Sequence, residues 1–228
     1  WFMRSPQDYR QWMENLDWSH PWGAGDEIAE TTLYLQAMPD ALRKAFLEEA
    51  FEFIESTQDP VTGMWGSNVL YNQVSGAFKI GTFYKRVGRP LPRVEAIYET
   101  VLHCMRTEVA NHFCFVRNPV DLLSQIKSEL PGRVEYDLLE IIEISKKNMA
   151  SFLQPDGAFS VYPDRSNPAP NRVMLGLGRK EADMNASTQA VTTRNALYDL
   201  AGLLPPEFPK EYTVGFWDII LTKEMEYQ

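Results

Sequence analysis

"STQDPVTGMWGSN", residues 56–68, decides the fold. A turn built on Asp59-Pro60 and two glycines closes on Trp65, and it separates two stretches with 3.6-residue apolar spacing. Before it, in a helix capped by Asp40, residues Leu42, Phe46, Ala50, Phe53 and Ile54 fall on one face. After it the spacing predicts a helix from about Leu70 to Val87, stopped by Gly88 with Pro90 and Pro92. The stretch is therefore the elbow of a helical hairpin.

The same elbow recurs. "FLQPDGAFS", residues 152–160, repeats the order glutamine, turn, glycine, aromatic. Beyond the two elbows, Asn72-x-x-Ser75-x-Ala77 matches Asn185-x-x-Thr188-x-Ala190. Each run then reaches Tyr84 or Tyr198, a glycine four residues on, and a pair of prolines. "WSHPWGAGDEI", residues 18–28, is a fainter copy. Repeats of this kind bury their faces only against neighbouring repeats.

The other segments are helical too. Ser5-Pro6 is an N-cap followed by proline at the first helical position, opening a helix to about Leu16. "GDEIAETTLYLQAM", residues 25–38, reads as a helix ended by Pro39. Val94, Ile97, Tyr98, Val101 and Met105 form another stripe, and Asn118-Pro119 starts a short helix to about Leu130. A long helix follows over residues 134–153, then a turn-rich stretch at 154–171 with room for a small hairpin. A helix from Asn185 to Ala201 and a last one carrying Tyr212, Phe216, Ile219 and Ile220 complete the chain.

The helices divide into two kinds. Those from Gly25, Leu70 and Asn185 carry small residues on several faces, among them Ala29, Gly76, Ala77, Gly81, Ala186 and Ala190. Their partners are amphipathic, with charge on one side. Helices crowded on both sides inside a ring of amphipathic ones define an all-α fold, an α/α toroid of helical-hairpin repeats, with a plain solenoid as the alternative. The 228 residues form a single domain of this kind. Because the chain begins Trp1-Phe2-Met3, it is also compatible with being a piece of a longer, incomplete toroid.

Composition narrows the function. Hydrophobic residues make up 44% and aromatics 12%, enough for a large core, and the net charge of −9 argues against nucleic acid or an anionic membrane as partner. No apolar run reaches the roughly 20 residues that span a bilayer. Cys104 and Cys114 lack CxxC spacing and read as free thiols of a reducing, cytoplasmic compartment. His20, His103 and His112 are too scattered for a metal motif, and no cofactor signature is present.

The QDPxTGxWG elbow, with its capped helix and Gly-Pro exit, resembles the repeats of terpenoid cyclases and protein prenyltransferases. It is more similar to a group of bacterial toroid proteins without an established activity. The likeness is carried by "LDWSHPWGAGDE", "STQDPVTGMWG", "SGAFKIGTFYKRVGRPLP", "DGAFSVYPD" and "GLGRKEADMNAS", over about residues 15 to 200. The resemblance implies the toroid. It also overlays Glu181-Ala182-Asp183-Met184 on the Asp-x-Asp-Asp motif of class II cyclases, which puts Asp183 at the proton-donating position. Met184 departs from that motif.

Parallel inner helices gather their N-termini at one mouth, each with unpaired N–H groups and a partial positive charge. Asp26, Asn72, Asp183 and Asn185 are expected there, with Trp22, Trp65, Phe159 and Tyr162 on the preceding loops. Carboxylates under an aromatic rim suit a sugar or another small molecule. In an enzyme Asp183 is the acid and Glu181 or Asp26 the base; otherwise Asp26 and Asp183 are simply caps. Trp65 serves equally as a packing anchor. Arg194, within a small-residue helix, needs an anionic partner or an outward path. His20 stands close enough in sequence to Asp26 and Glu27 for acid–base work, or is a plain loop residue. Three functions follow: a carbohydrate- or small-molecule-active toroid, a non-catalytic toroid binding a glycan, lipid or protein, and a cyclase-like protein using Asp183. Oligomeric state is not encoded legibly.

Overall fold

Helix starts and stops follow side-chain chemistry that is local in the chain. The computed structural model describes residues 1–169, 173–174 and 176–208, and the helix expected around Tyr212 to Ile220 lies outside them. Among the described residues there are nine α-helices: α1 (Pro6–Glu14), α2 (Pro21–Glu30), α3 (Thr32–Gln36), α4 (Asp40–Thr57), α5 (Leu70–Val87), α6 (Val94–Thr107), α7 (Cys114–Ile126), α8 (Arg133–Ala150) and α9 (Met184–Leu200). The chain is all-α. Among the described residues, the turn-rich stretch after α8 holds two isolated bridges, Leu153 with Phe159 and Tyr162 with Arg165.

Ser5 caps α1 by accepting from the Asp8 amide at 3.0 Å, and Asp183 caps α9 by accepting from the Ala186 amide at 2.7 Å. The matched glycines close α5 and α9 in the same way. Gly88 and Gly202 are left-handed, and each amide returns to the carbonyl three residues back, that of Lys85 or Asp199. The next amide, of Arg89 or Leu203, reaches Tyr84 or Tyr198 at 3.0 and 2.9 Å. Both ends are Schellman motifs.

The elbows are sewn from within by equivalent buried glutamines. Gln58 Nε2 donates to the Gly63 and Pro92 carbonyls, and its Oε1 accepts from Arg93. Gln154 Nε2 donates to Ser160 Oγ and the Pro163 carbonyl. In a buried loop such bonds replace water for carbonyls that otherwise have no partner.

Helices α2, α5, α7 and α9 stand side by side in that order. Paired contacts advance in the same direction along each neighbour. Gly25 abuts Gly76 while the Ala29 carbonyl accepts from Arg86; Ser75 meets Asn118 while Thr82 meets Gln125; Cys114 meets Gln189 while Ser124 reaches Asp199 near the end of α9. The row is parallel. Glycines set its closest approach, since a Cβ on Gly76 would lie 2.8 Å from Pro21 backbone atoms. Against the row pack the amphipathic helices, with α1 on α4 and α6 beside α8. Phe46, Ala50, Phe53 and Ile54 of α4 and Ile97, Tyr98 and Val101 of α6 enter the core.

Some starts differ from expectation. Helix α2 begins at Pro21, four residues before Gly25, because proline suits the first helical position. It breaks at Thr31, where the Thr31 and Thr32 hydroxyls bond back to Ile28 and Ala29 carbonyls. Asp26 therefore sits in the second turn and caps nothing. Helix α7 begins at Cys114, so Pro119 lies inside it and Asn118 does not start it. Pro39 takes the cap position that Asp40 was expected to fill, and Leu42 is exposed on the outer side of α4.

Candidate functional site

A parallel row brings the first turns of its four helices to the same end. There they enclose a cavity of about 600 Å³, lined from α2 by Trp22 and Asp26, from α5 by Asn72, Ser75, Phe78 and Lys79, from α7 by Cys114, Phe115, Arg117 and Asn118, and from α9 by Asn185 and Gln189. His20, His112 and Asn167 complete it from the loops. On α5 the lining residues recur at three- and four-residue spacing, one stripe facing the cavity.

The cations are held in place by pairing. Lys79 Nζ lies 2.6 Å from Asp26 Oδ1 and 5.4 Å from the Trp22 ring centre. Arg117 bonds Asp121 at 2.7 Å, its guanidinium stands 5.6 Å from the Phe78 ring centre, and Lys79 Nζ lies 5.7 Å from the same centre. Burial raises the Asp121 carboxyl, while Arg117 pulls it down. Phe115 stacks on Tyr71 with centres 5.0 Å apart, so its orientation is fixed.

The amides are arranged as a relay. Asn118 Nδ2 donates to Ser75 Oγ at 3.0 Å, and Ser75 donates to the Tyr71 carbonyl. Gln189 Nε2 donates to Asn185 Oδ1 at 3.1 Å, but Gln189 Oε1 has no partner although the residue is only 5% exposed. Such an acceptor, dry and unpaired, costs about 1–3 kcal/mol until a donor reaches it. His112 Nδ1 accepts the Cys114 amide at 3.1 Å, which satisfies a free N–H at the start of α7 and leaves Nε2 to carry the proton. Burial holds its pKa below the usual value, opposed by nearby Asp183. Cys104 and Cys114 are both free, and burial raises both thiols.

Of the ten candidate site residues, the cavity gathers Trp22, Asp26, Asn72 and Asn185. The other six lie elsewhere. Asp183, 7% exposed, accepts from the Ala186 amide on one oxygen and from the Val161 and Asn167 amides on the other, at 2.8 and 3.1 Å. It fastens the loop after α8 to the start of α9. Glu181 Oε1 accepts from Ser166 Oγ and the Leu177 amide, bonds that lower its pKa. Trp65 is 1% exposed and donates to the Ile54 carbonyl, anchoring its elbow. Tyr162 meets His112 edge-on at 5.3 Å, one layer behind the cavity.

Phe159 and Arg194 border a different, apolar groove of about 760 Å³ between α8, α9 and residues 203–208. There Arg194 stands 5.1 Å from the Tyr198 ring centre and 4.9 Å from that of Phe208 and donates to the Pro206 carbonyl at 2.7 Å, so its charge is met without a carboxylate. Among the described residues no group of three or more His, Cys, Asp or Glu side chains is placed to hold a metal, and no helix is long and apolar enough to cross a membrane.

Sequence reading missed most of the α5 and α7 contributions. Lys79 and Phe78 follow from the α5 stripe once Asn72 is placed, at i+7 and i+6. Arg117, Asn118 and Cys114 were hidden by starting α7 at Asn118. Compared with known proteins, the chain matches no family model, no curated protein and no solved structure at a significant level.

Proposed function

We propose that the chain is an α/α toroid, whole or partial, that holds a sugar or sugar-like small molecule in the cavity at the four helix starts. One observation carries this reading: a single pocket combines three aromatic rings with five side-chain amides, those of Asn72, Asn118, Asn167, Asn185 and Gln189. Rings cover the apolar faces of a pyranose, and amides both donate to and accept from its hydroxyls. The volume lies within the roughly 300–1,000 Å³ of ligand pockets. The parallel row, the twin Schellman ends and the glutamine-sewn elbows support the toroid. The resemblance of those elbows to cyclase and prenyltransferase repeats supports it too.

Binding is favoured over acid catalysis by Asp183. That carboxylate already accepts three amide hydrogen bonds, and Glu181 accepts two. Both are occupied in holding groups of the loop after α8, at Val161, Ser166, Asn167 and Leu177. The same occupancy weighs against cyclase-like proton donation, which needs an aspartic acid free to give its proton to an alkene.

The test is titration calorimetry with a panel of neutral and acidic monosaccharides and disaccharides. Trp22→Ala and Asn185→Ala are expected to weaken the best ligand at least tenfold, and Arg194→Ala in the apolar groove to leave it unchanged. The reading falls if no sugar binds at millimolar concentration, or if Arg194→Ala abolishes binding that survives Trp22→Ala.

A further inference from the structure

The groove of about 760 Å³ between α8 and α9 is apolar along its length, with Ile142, Met149, Val191, Leu197 and Phe208 in its walls. Among the described residues its charged lining groups are two cations, Lys146 and Arg194. Helix α8 accounts for one wall. Its Arg133, Asp137 and Glu140 meet Glu99, Tyr98 and Arg106 of α6. Leu139 and Ile142 stand two residues beyond Asp137 and Glu140, about 200° around the helix, so they face away from α6. Leu139 is 78% exposed, and Ile142 lines the groove. An outer helix that has one such neighbour thus presents an apolar side where a second would stand.

The twin Schellman ends identify the segment that fits there. Gly88 leads through Pro90 and Pro92 directly into α6, whose Tyr98, Leu102 and Met105 are buried. Laying Gly202 on Gly88 places Tyr212, Phe216 and Ile219 on those three residues of α6. The described chain reaches the groove at Phe208, beside Arg194 near the end of α9, and residues 209–228 follow. A helix of these 20 residues spans about 30 Å, against about 21 Å for the α9 wall from Ser187 to Ala201. Entering at Phe208, it would run against α9 and along α8. Helices α6 and α8 already lie that way, with Glu99 on Arg133 and Arg106 on Glu140. Charge agrees as well: Glu211, Asp218, Glu224 and Glu226 outnumber Lys210 and Lys223, opposite the Lys146 and Arg194 of the groove.

We propose that residues 209–228 occupy this groove as the outer helix of the last repeat, with Tyr212, Phe216 and Ile219 turned inward. The groove is then a seam within the chain and not a second ligand site. This inference is independent of the sugar reading, and no sugar enters its test.

Maleimide labelling of the intact 228-residue chain tests it, using Val191→Cys in the groove and Tyr136→Cys on the outside of α8 as reference. Exposures of 38% and 84% leave both native side chains open to a reagent unless something covers one of them. Peptide mass spectrometry separates both sites from Cys104 and Cys114. Val191→Cys is expected to react at least twentyfold more slowly than Tyr136→Cys. Adding Phe216→Ala is expected to speed it at least fivefold. Phe216→Asp with Ile219→Asp is expected to bring it within threefold of the reference, whose own rate stays unchanged. If that double variant fails to fold, the Phe216→Ala arm decides. Equal rates at the two sites in the intact chain overturn the proposal. So does slow labelling that Phe216→Ala leaves untouched, which assigns the groove to another occupant. Slow labelling that disappears on dilution from about 100 to 1 μM assigns a second copy of the chain and overturns it too.

Discussion

His112, which lines the cavity, and Asp183, whose charge acts on it, answer to pH and mutation in different ways. Burial disfavours the His112 imidazolium more than Asp183 favours it, so the folded pKa lies below the ordinary value of 6.5. As pH falls, the unfolded chain takes up the proton first. The stability from this group is complete above about pH 6.5 and is lost as pH drops from there toward the lower folded value. Protonating Nδ1 would also break the bond from the Cys114 amide and set a positive charge at the start of α7. Urea midpoints taken from pH 7.5 to 5 should fall faster for the native chain than for His112→Gln, whose amide oxygen can still accept; parallel curves would exclude this role. Asp183→Ala strips an acceptor from three buried amides, and the loss expected in urea denaturation is about 2–4 kcal/mol. Asp183→Asn should lose about half as much, since one amide oxygen replaces two. Sugar affinity should stay within threefold in the Asn variant if the residue fastens the rim and does no chemistry.

At the scale of elements, glycines show two kinds of dependence that one substitution separates. Gly76 has no room: an added methyl would press on the Pro21 backbone at 2.8 Å, and neither helix can yield without parting the row. Gly76→Ala is expected to cost about 3 kcal/mol. Gly88 has nothing within 4 Å, so Gly88→Ala pays only for the left-handed backbone, about 1 kcal/mol. Equal losses for the two, measured by denaturant midpoints, would show that α2 and α5 do not meet through Gly76. These elements were largely legible in the sequence. Helix α5 was read with its observed bounds because apolar spacing, an elbow before it and a glycine-proline stop after it all agree. Helix α7 was misplaced because Asn118-Pro119 looks like a start. Yet proline this near a helix beginning withholds only one bond, that to the Phe115 carbonyl, and packing of Val116, Val120 and Leu123 holds the turn. The start at Cys114 depends on a long-range bond, the Phe113 amide to the Val161 carbonyl, which no local pattern announces.

Over the whole molecule, the parallel row explains why part of the site was readable and part was not. A shared direction among small-residue helices places their first turns together, and Trp22, Asp26, Asn72 and Asn185 followed from that alone. Asp183, Glu181 and Trp65 also lie near helix starts, but the two carboxylates are consumed by amides of the loop after α8, and the Trp65 indole by the Ile54 carbonyl of α4. Sequence spacing locates a polar side chain at an end; only the folded loop shows which neighbours have already claimed it. The same geometry makes a prediction that no single residue carries. A ligand bound at the mouth touches four segments distant in sequence, so hydrogen exchange should slow together in the first turns of α2, α5, α7 and α9 when the tightest-binding sugar of the panel is added at saturating concentration. The middles of α4, α6 and α8 should exchange as before, because they pack away from the cavity and already draw protection from the core. Protection appearing instead along α8, α9 and residues 203–208 would move the ligand to the apolar groove beside Arg194 and remove the four helix starts from its recognition.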